Sequence, residues 1–138
     1  MSNRLDALLE LEQAMIQFTR QIRKDLNKIC GEDLTGAEFG ILIKLQQNNP
    51  QIVSALSQDF EVSASHITHV ADQLELKGLA VRKRCLTDKR VVELHITEKG
   101  LILSKELSNK KTQYFHQNFG HLTTEEIMTL LSLIQKSL

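Results

Sequence analysis

With 138 residues, 41% apolar and 25% charged, the chain has the size and balance of one soluble globular domain, or of one domain completed by a partner. No apolar run is long enough to span a bilayer, and the opening MSNRLDALLE lacks the apolar stretch and cleavage site of a signal peptide. Two cysteines, Cys30 and Cys85, are too few for a secreted disulfide scaffold, so a reducing cytoplasm is the expected compartment.

Residues 4–29 read as one long amphipathic helix. Leu5, Leu8, Leu9, Met15, Ile16, Ile22, Leu26 and Ile29 recur mostly at steps of three and four, with Glu, Gln, Arg and Lys between them. Cys30-Gly31 ends it, glycine being common just past a helix terminus. Thr35-Gly36-Ala37-Glu38 has the capping-box spacing, with Thr35 placed to bond the amide of Glu38. It opens a second helix to about Gln47 that buries Phe39, Leu42, Ile43 and Leu45, and Asn48-Asn49-Pro50 stops it. A short third helix from about Val53 to Phe60 presents Leu56 and Phe60. After the tight connection Glu61-Val62-Ser63, Ser63 caps a fourth helix that runs from Ala64 to Lys77 and ends at Gly78.

In that fourth helix Ile67, Val70, Ala71 and Leu74 form one apolar stripe, while Ser65, His66, Thr68, His69, Asp72 and Gln73 point elsewhere. Two short helices across a tight turn, the second with a polar face left over, make a helix-turn-helix pattern. Periodicity then changes to alternation. Leu79 and Val81 are expected inward with Arg82 and Arg84 outward, and Val92, Leu94 and Ile96 alternate with Glu93 and His95. A two-stranded hairpin with a basic tip follows from this. Thr97-Glu98-Lys99-Gly100 opens a fifth, long helix carrying Leu101, Leu107, Tyr114, Phe115 and Phe119, ending near Gly120. A second capping box, Thr123 to Glu126, starts a last helix with Ile127, Leu130, Leu131, Ile134 and Leu138 on one stripe.

The formal net charge is zero, but its distribution is uneven. Between residues 77 and 90, Lys77, Arg82, Lys83, Arg84, Lys89 and Arg90 stand against Asp88 alone, so this strip carries +5 and the rest of the chain −5. A solvated charge run would explain the strip by itself. A solvated surface would likewise explain the polar helix face. Side by side, face and strip fit DNA reading: short uncharged side chains for the groove floor, and a basic hairpin for the phosphates. The apolar stripes at both chain ends exceed what one winged helix can bury, and a second subunit would cover them. The expected architecture is mainly α with a small β-hairpin, a single unit over 1–138. In it a winged helix-turn-helix, 35–97, is flanked by dimerisation helices, 4–29 and 98–138.

In order and spacing these residues resemble the MarR (multiple antibiotic resistance regulator) family. The resemblance is carried by Leu34-Thr35, by Val62-Ser63 through Ile67-Thr68 with Leu74-Glu75, by Lys77-Gly78-Leu79 before Arg82-Lys83-Arg84, and by Asp88-Lys89-Arg90 before Ile96-Thr97-Glu98-Lys99-Gly100. It implies a homodimer on an inverted-repeat operator, with terminal helices at the dimer base, a recognition helix in the major groove and a wing beside it. Ser65, Thr68 and His69 would lie on the reading face, with His66 and Gln73 as further candidates. Arg82, Arg84, Lys89 and Arg90 would form the wing, Arg90 at its tip and Asp88 the carboxylate that holds it. Position 69, often Arg in the family, is His here, with fewer donors for a base edge. A small phenolic or lipophilic effector is implied, in a pocket lined in part by Phe18, Ile22 and Phe39, and its binding would release a repressor from DNA.

Other readings carry less. His66 and His69 are three apart and could share a zinc, but no further ligand is adjacent, and Phe39 and Gly40 stand where zinc-responsive relatives have His and Glu. No metal and no cofactor is expected. Cys85 beside Arg84 in a basic wing would favour the thiolate, leaving a thiol-based redox-responsive regulator as an alternative to an inert thiol. A winged-helix protein-interaction module, its wing meeting an acidic partner, is a further alternative. No glycine-rich phosphate loop, HExxH, CxxC or GxSxG is present, so an enzyme is not expected.

Overall fold

In the computed structural model, which describes residues 2–138, four hydroxyl side chains stand where the sequence places helix starts. Thr35, Ser63, Thr97 and Thr123 each accept from the amide three residues on, satisfying one otherwise orphaned N–H apiece. They open α2 (Gly36–Gln47), α4 (Ala64–Leu76), α5 (Glu98–Phe119) and α6 (Thr124–Ser137); α1 (Ser2–Cys30) and α3 (Val53–Phe60) complete the helices. Met1 of the expected unit lies outside the described residues. At Thr123 the box is closed from both sides, because Glu126 reaches back to the cap amide. At Thr35 it is half closed: the Glu38 carboxylate turns inward instead, to Lys77.

The sheet has three strands rather than the two expected. β1 (Gln51–Ile52) pairs with β3 (Val92–Ile96), and β3 with β2 (Ala80–Arg84), all antiparallel in the order β1-β3-β2. A two-residue edge strand is too short for alternation to reveal it.

The face assignment of β2 also needs correction. Leu79 and Ala80 are both buried, Val81 is exposed, and Arg82 lies opposite buried Leu94 on the inner face. The cause is the turn that ends α4. Gly78 adopts φ +73, its N–H bonds Glu75 O, and the N–H of Leu79 bonds Leu74 O. This is a Schellman motif, in which Leu79 packs back on Leu74 as part of the helix end. Strand alternation therefore begins one residue later, and every side chain of β2 changes face.

The core lies within the winged helix-turn-helix. Leu42 and Leu45 of α2, Leu56 of α3, Ile67 and Leu74 of α4 and Leu94 of β3 are fully buried, with Leu107 of α5 against them. The chain ends contrast with this. α6 buries no residue, and Leu5, Leu8, Leu9, Leu130, Leu131 and Ile134 are all exposed. α1 meets α5 through Tyr114, whose hydroxyl donates to Asp25 Oδ2 at 2.8 Å, and through Phe18 edge-on to Phe119.

Candidate nucleic-acid interface

α4 divides cleanly. Ile67, Val70, Ala71 and Leu74 hold it to the core, while Ser65, His66, Thr68 and His69 are exposed and Gln73 is half-buried. Two hydroxyls on this face are already engaged. Thr68 Oγ1 donates to Ala64 O at 3.0 Å, which leaves its methyl group and an acceptor lone pair outward, and Ser65 shares a hydrogen bond with the cap residue Ser63.

The basic strip behind α4 separates into two kinds of residue. Arg90 at the wing tip is 92% exposed, and Lys89 is exposed beside it. Asp88 Oδ1 accepts from both the backbone N–H of Arg90, at 3.0 Å, and its Nε, at 3.2 Å. The carboxylate thus grips the root of the side chain, leaving the terminal amines outward. Arg84 Nη1 donates to Lys89 O at 2.7 Å, so that guanidinium buttresses the tip loop. Arg82 departs furthest from expectation. Its position on the inner face commits it to Glu75 and Asp72 of α4. The hydrogen bond to Glu75 raises its pKa most, with Asp72 adding and burial opposing.

A further ion pair was not visible in the sequence. Glu38 is 3% exposed, and its Oε2 accepts from Lys77 Nζ at 2.5 Å, joining α2 to the C-cap of α4. Lys99 Nζ donates to the carbonyl of the same Lys77 at 2.9 Å. The pair spans 39 residues, beyond any local spacing rule; a charged residue in a helix face otherwise buried is the signal that could have found it.

The family model described as the MarR family matches residues 34–92. The HTH-type transcriptional regulator YpoP of Bacillus subtilis (strain 168) is 36% identical over 136 residues, covering 99% of this chain and 96% of the relative. The chain belongs to the MarR family. Among solved structures, a cysteine-to-serine variant of MarR from E. coli complexed with operator DNA matches with a TM-score of 0.81 at 25% identity, covering 95% of each chain. BldR, a transcriptional regulator from Sulfolobus solfataricus, matches with a TM-score of 0.75 at 28% identity, covering 97% of this chain and 98% of that one.

This MarR-family chain has a cleft of about 320 Å³ between α1 and α2, lined by Ile22, Leu26, Cys30, Gly36 and Phe39. Ile22 and Phe39 line it together. Phe18 does not join them; its ring packs with Phe119, which stacks on Phe115. Burial raises the Cys30 thiol pKa, with Glu38 adding to the shift. The Cys85 thiol is lowered, chiefly by the Thr87 hydroxyl and then by the backbone at Asp88 and Thr87, rather than by the neighbouring Arg84. Among the described residues, no group of three His, Cys, Asp or Glu side chains is placed to hold a metal ion, and no helix is long and apolar enough to cross a membrane.

Proposed function

We propose that this chain is a dimeric, sequence-specific regulator of transcription that binds double-stranded DNA at an inverted repeat, acting as a repressor released by a small apolar or phenolic ligand. The observation that carries the reading is the exposed polar face of α4 standing beside the exposed, carboxylate-rooted Arg90. Ser65, His66, Thr68 and His69 would meet base edges in the major groove, with Gln73 at the margin. Arg90, Lys89 and Arg84 would supply charge to phosphates and the minor groove. The likeness to a MarR structure that holds operator DNA supports the same assignment.

Dimerisation is supported by α6, a 14-residue helix without a buried residue. A helix of that length gains little from propensity alone and needs packing on its apolar face. The groove between α5 and α6, lined by Phe115, Phe119, Ile127, Leu130, Leu131 and Ile134, offers that surface to a second copy. The cleft at Ile22, Cys30 and Phe39 is the proposed effector site.

Fluorescence anisotropy with a random-sequence duplex tests the reading. Binding at sub-micromolar concentration that weakens steeply with salt is expected. Absence of binding at low salt would remove DNA recognition and favour a protein-interaction module. A panel of phenolic and lipophilic compounds should raise the melting temperature and loosen the DNA complex; no response to any of them would remove ligand release.

A further inference from the structure

If the chain reads DNA through α4, a separate role falls to Arg82. The Schellman turn at Gly78 sends β2 back along the last turns of α4, so residues 75 and 82 face each other across the turn. Asp72 and Glu75, spaced i and i+3, share one side of the helix. Arg82 Nε donates to Glu75 Oε1 at 2.8 Å, the Arg82 backbone N–H donates to the same oxygen at 2.8 Å, and Nη2 donates to Asp72 Oδ1. The Arg82 side chain is 31% exposed. With Thr68, Arg90 and Val92 it lines a cleft between the helix-turn-helix and the wing.

Two consequences follow from this geometry. A planar guanidinium that holds two carboxylates from one helix and is rooted in a strand fixes both the tilt and the rotation of that helix against the sheet. Asp72 and Glu75 are also the only acidic side chains in Ala64–Leu76, which holds no Lys or Arg, so without Arg82 the helix would carry two carboxylates toward DNA with no guanidinium or ammonium of its own against them.

We propose that Arg82 is a positioning residue. It sets the recognition helix against the wing and masks Asp72 and Glu75, and it binds no phosphate itself.

The test compares the wild-type chain with Arg82→Gln, Asp72→Asn/Glu75→Gln, the triple variant and Arg82→Lys, at concentrations normalised to folded protein by circular dichroism. The probes are a duplex selected by the wild-type protein from a random-sequence library and a scrambled duplex of the same composition. The readouts are the ratio of the two affinities and the slope of log affinity against log salt. Added charge acts on both duplexes alike, so the ratio reports helix placement.

Arg82→Gln and the double variant should each lower the ratio by roughly tenfold, with the triple variant no worse than either, because all three break the same clamp. Arg82→Lys should also lose the ratio, since one ammonium cannot span both carboxylates. A role in stability alone would leave the ratio unchanged in every folded variant and would overturn the proposal. A phosphate contact would overturn it too. In that case the double variant binds both duplexes tighter with its ratio intact, while Arg82→Gln weakens both equally and lowers the salt slope by about two for a dimer. Failure of the wild-type chain to bind any duplex is seen before a variant is made, and removes the functional reading and this inference together.

Discussion

Replacing Lys77 with Met leaves the Glu38 carboxylate, 3% exposed, without the ammonium that lies 2.5 Å from it. Breaking a buried pair by removing one partner costs about 3–5 kcal/mol, because the remaining charge is uncompensated. The Lys77 side chain is 32% exposed, so water reaches one side of the pair, and the lower figure of about 2–3 kcal/mol applies. Glu38→Gln removes the charge, keeps an acceptor for Lys77 and should cost about 1 kcal/mol. The two halves of one ion pair are thus unequal. Urea unfolding followed by circular dichroism measures both, at a fixed chain concentration because a dimer's stability depends on it. Lys77→Met should lose more than Glu38→Gln, and adding Glu38→Gln to Lys77→Met should recover stability. Equal losses with no recovery would show that water compensates the carboxylate in the fold, and the reasoning would fail.

A β-carbon at Gly100 would overlap the Leu79 carbonyl, which is pinned by Thr97, and would meet Ile96 at 3.0 Å; Gly100→Ala should therefore cost about 1–3 kcal/mol, read as a lower melting temperature. The thiols should separate in a pH series of iodoacetamide labelling, with Cys85 reacting at a lower midpoint than an ordinary cysteine and Cys30 at a higher one; coincident midpoints would contradict the shifts. Leu130→Asp or Ile134→Asp should give an unstable or monomeric chain by sedimentation that no longer holds DNA, and a clean wild-type monomer at micromolar concentration would contradict the dimer itself.

What was legible in the sequence was local. Thr35, Ser63, Thr97 and Thr123 announce their helices because a cap acts over three residues, and the stripe of α4 is visible because burial repeats with the helix period. What escaped depends on partners distant in sequence or on a shift of one residue. β1 is a strand only because β3 lies beside it. Arg82 turns inward because the Gly78 turn takes Leu79 into the helix end, a displacement that a rule of alternation cannot detect. Phe18 shares the apolar character of Ile22, but the facing aromatics of α5 draw it away from the cleft. At the wing tip the spacing of Asp88 and Arg90 brings the two together, but that the carboxylate takes the backbone N–H and Nε of Arg90 depends on the conformation of the tip loop.

The division of labour between recognition helix and wing is tested most directly by a salt titration of the wild-type chain, Arg90→Ala, Asp88→Ala and Thr68→Ala on the selected and scrambled duplexes. Arg90→Ala should weaken both duplexes to a similar degree and lower the salt slope by about two for a dimer, while Thr68→Ala should harm the selected duplex far more than the scrambled one. Asp88→Ala should also weaken binding although it removes a negative charge, because the root of Arg90 is then no longer held. Tighter binding by the Asp88 variant, or an equal loss on both duplexes from Thr68→Ala, would contradict it.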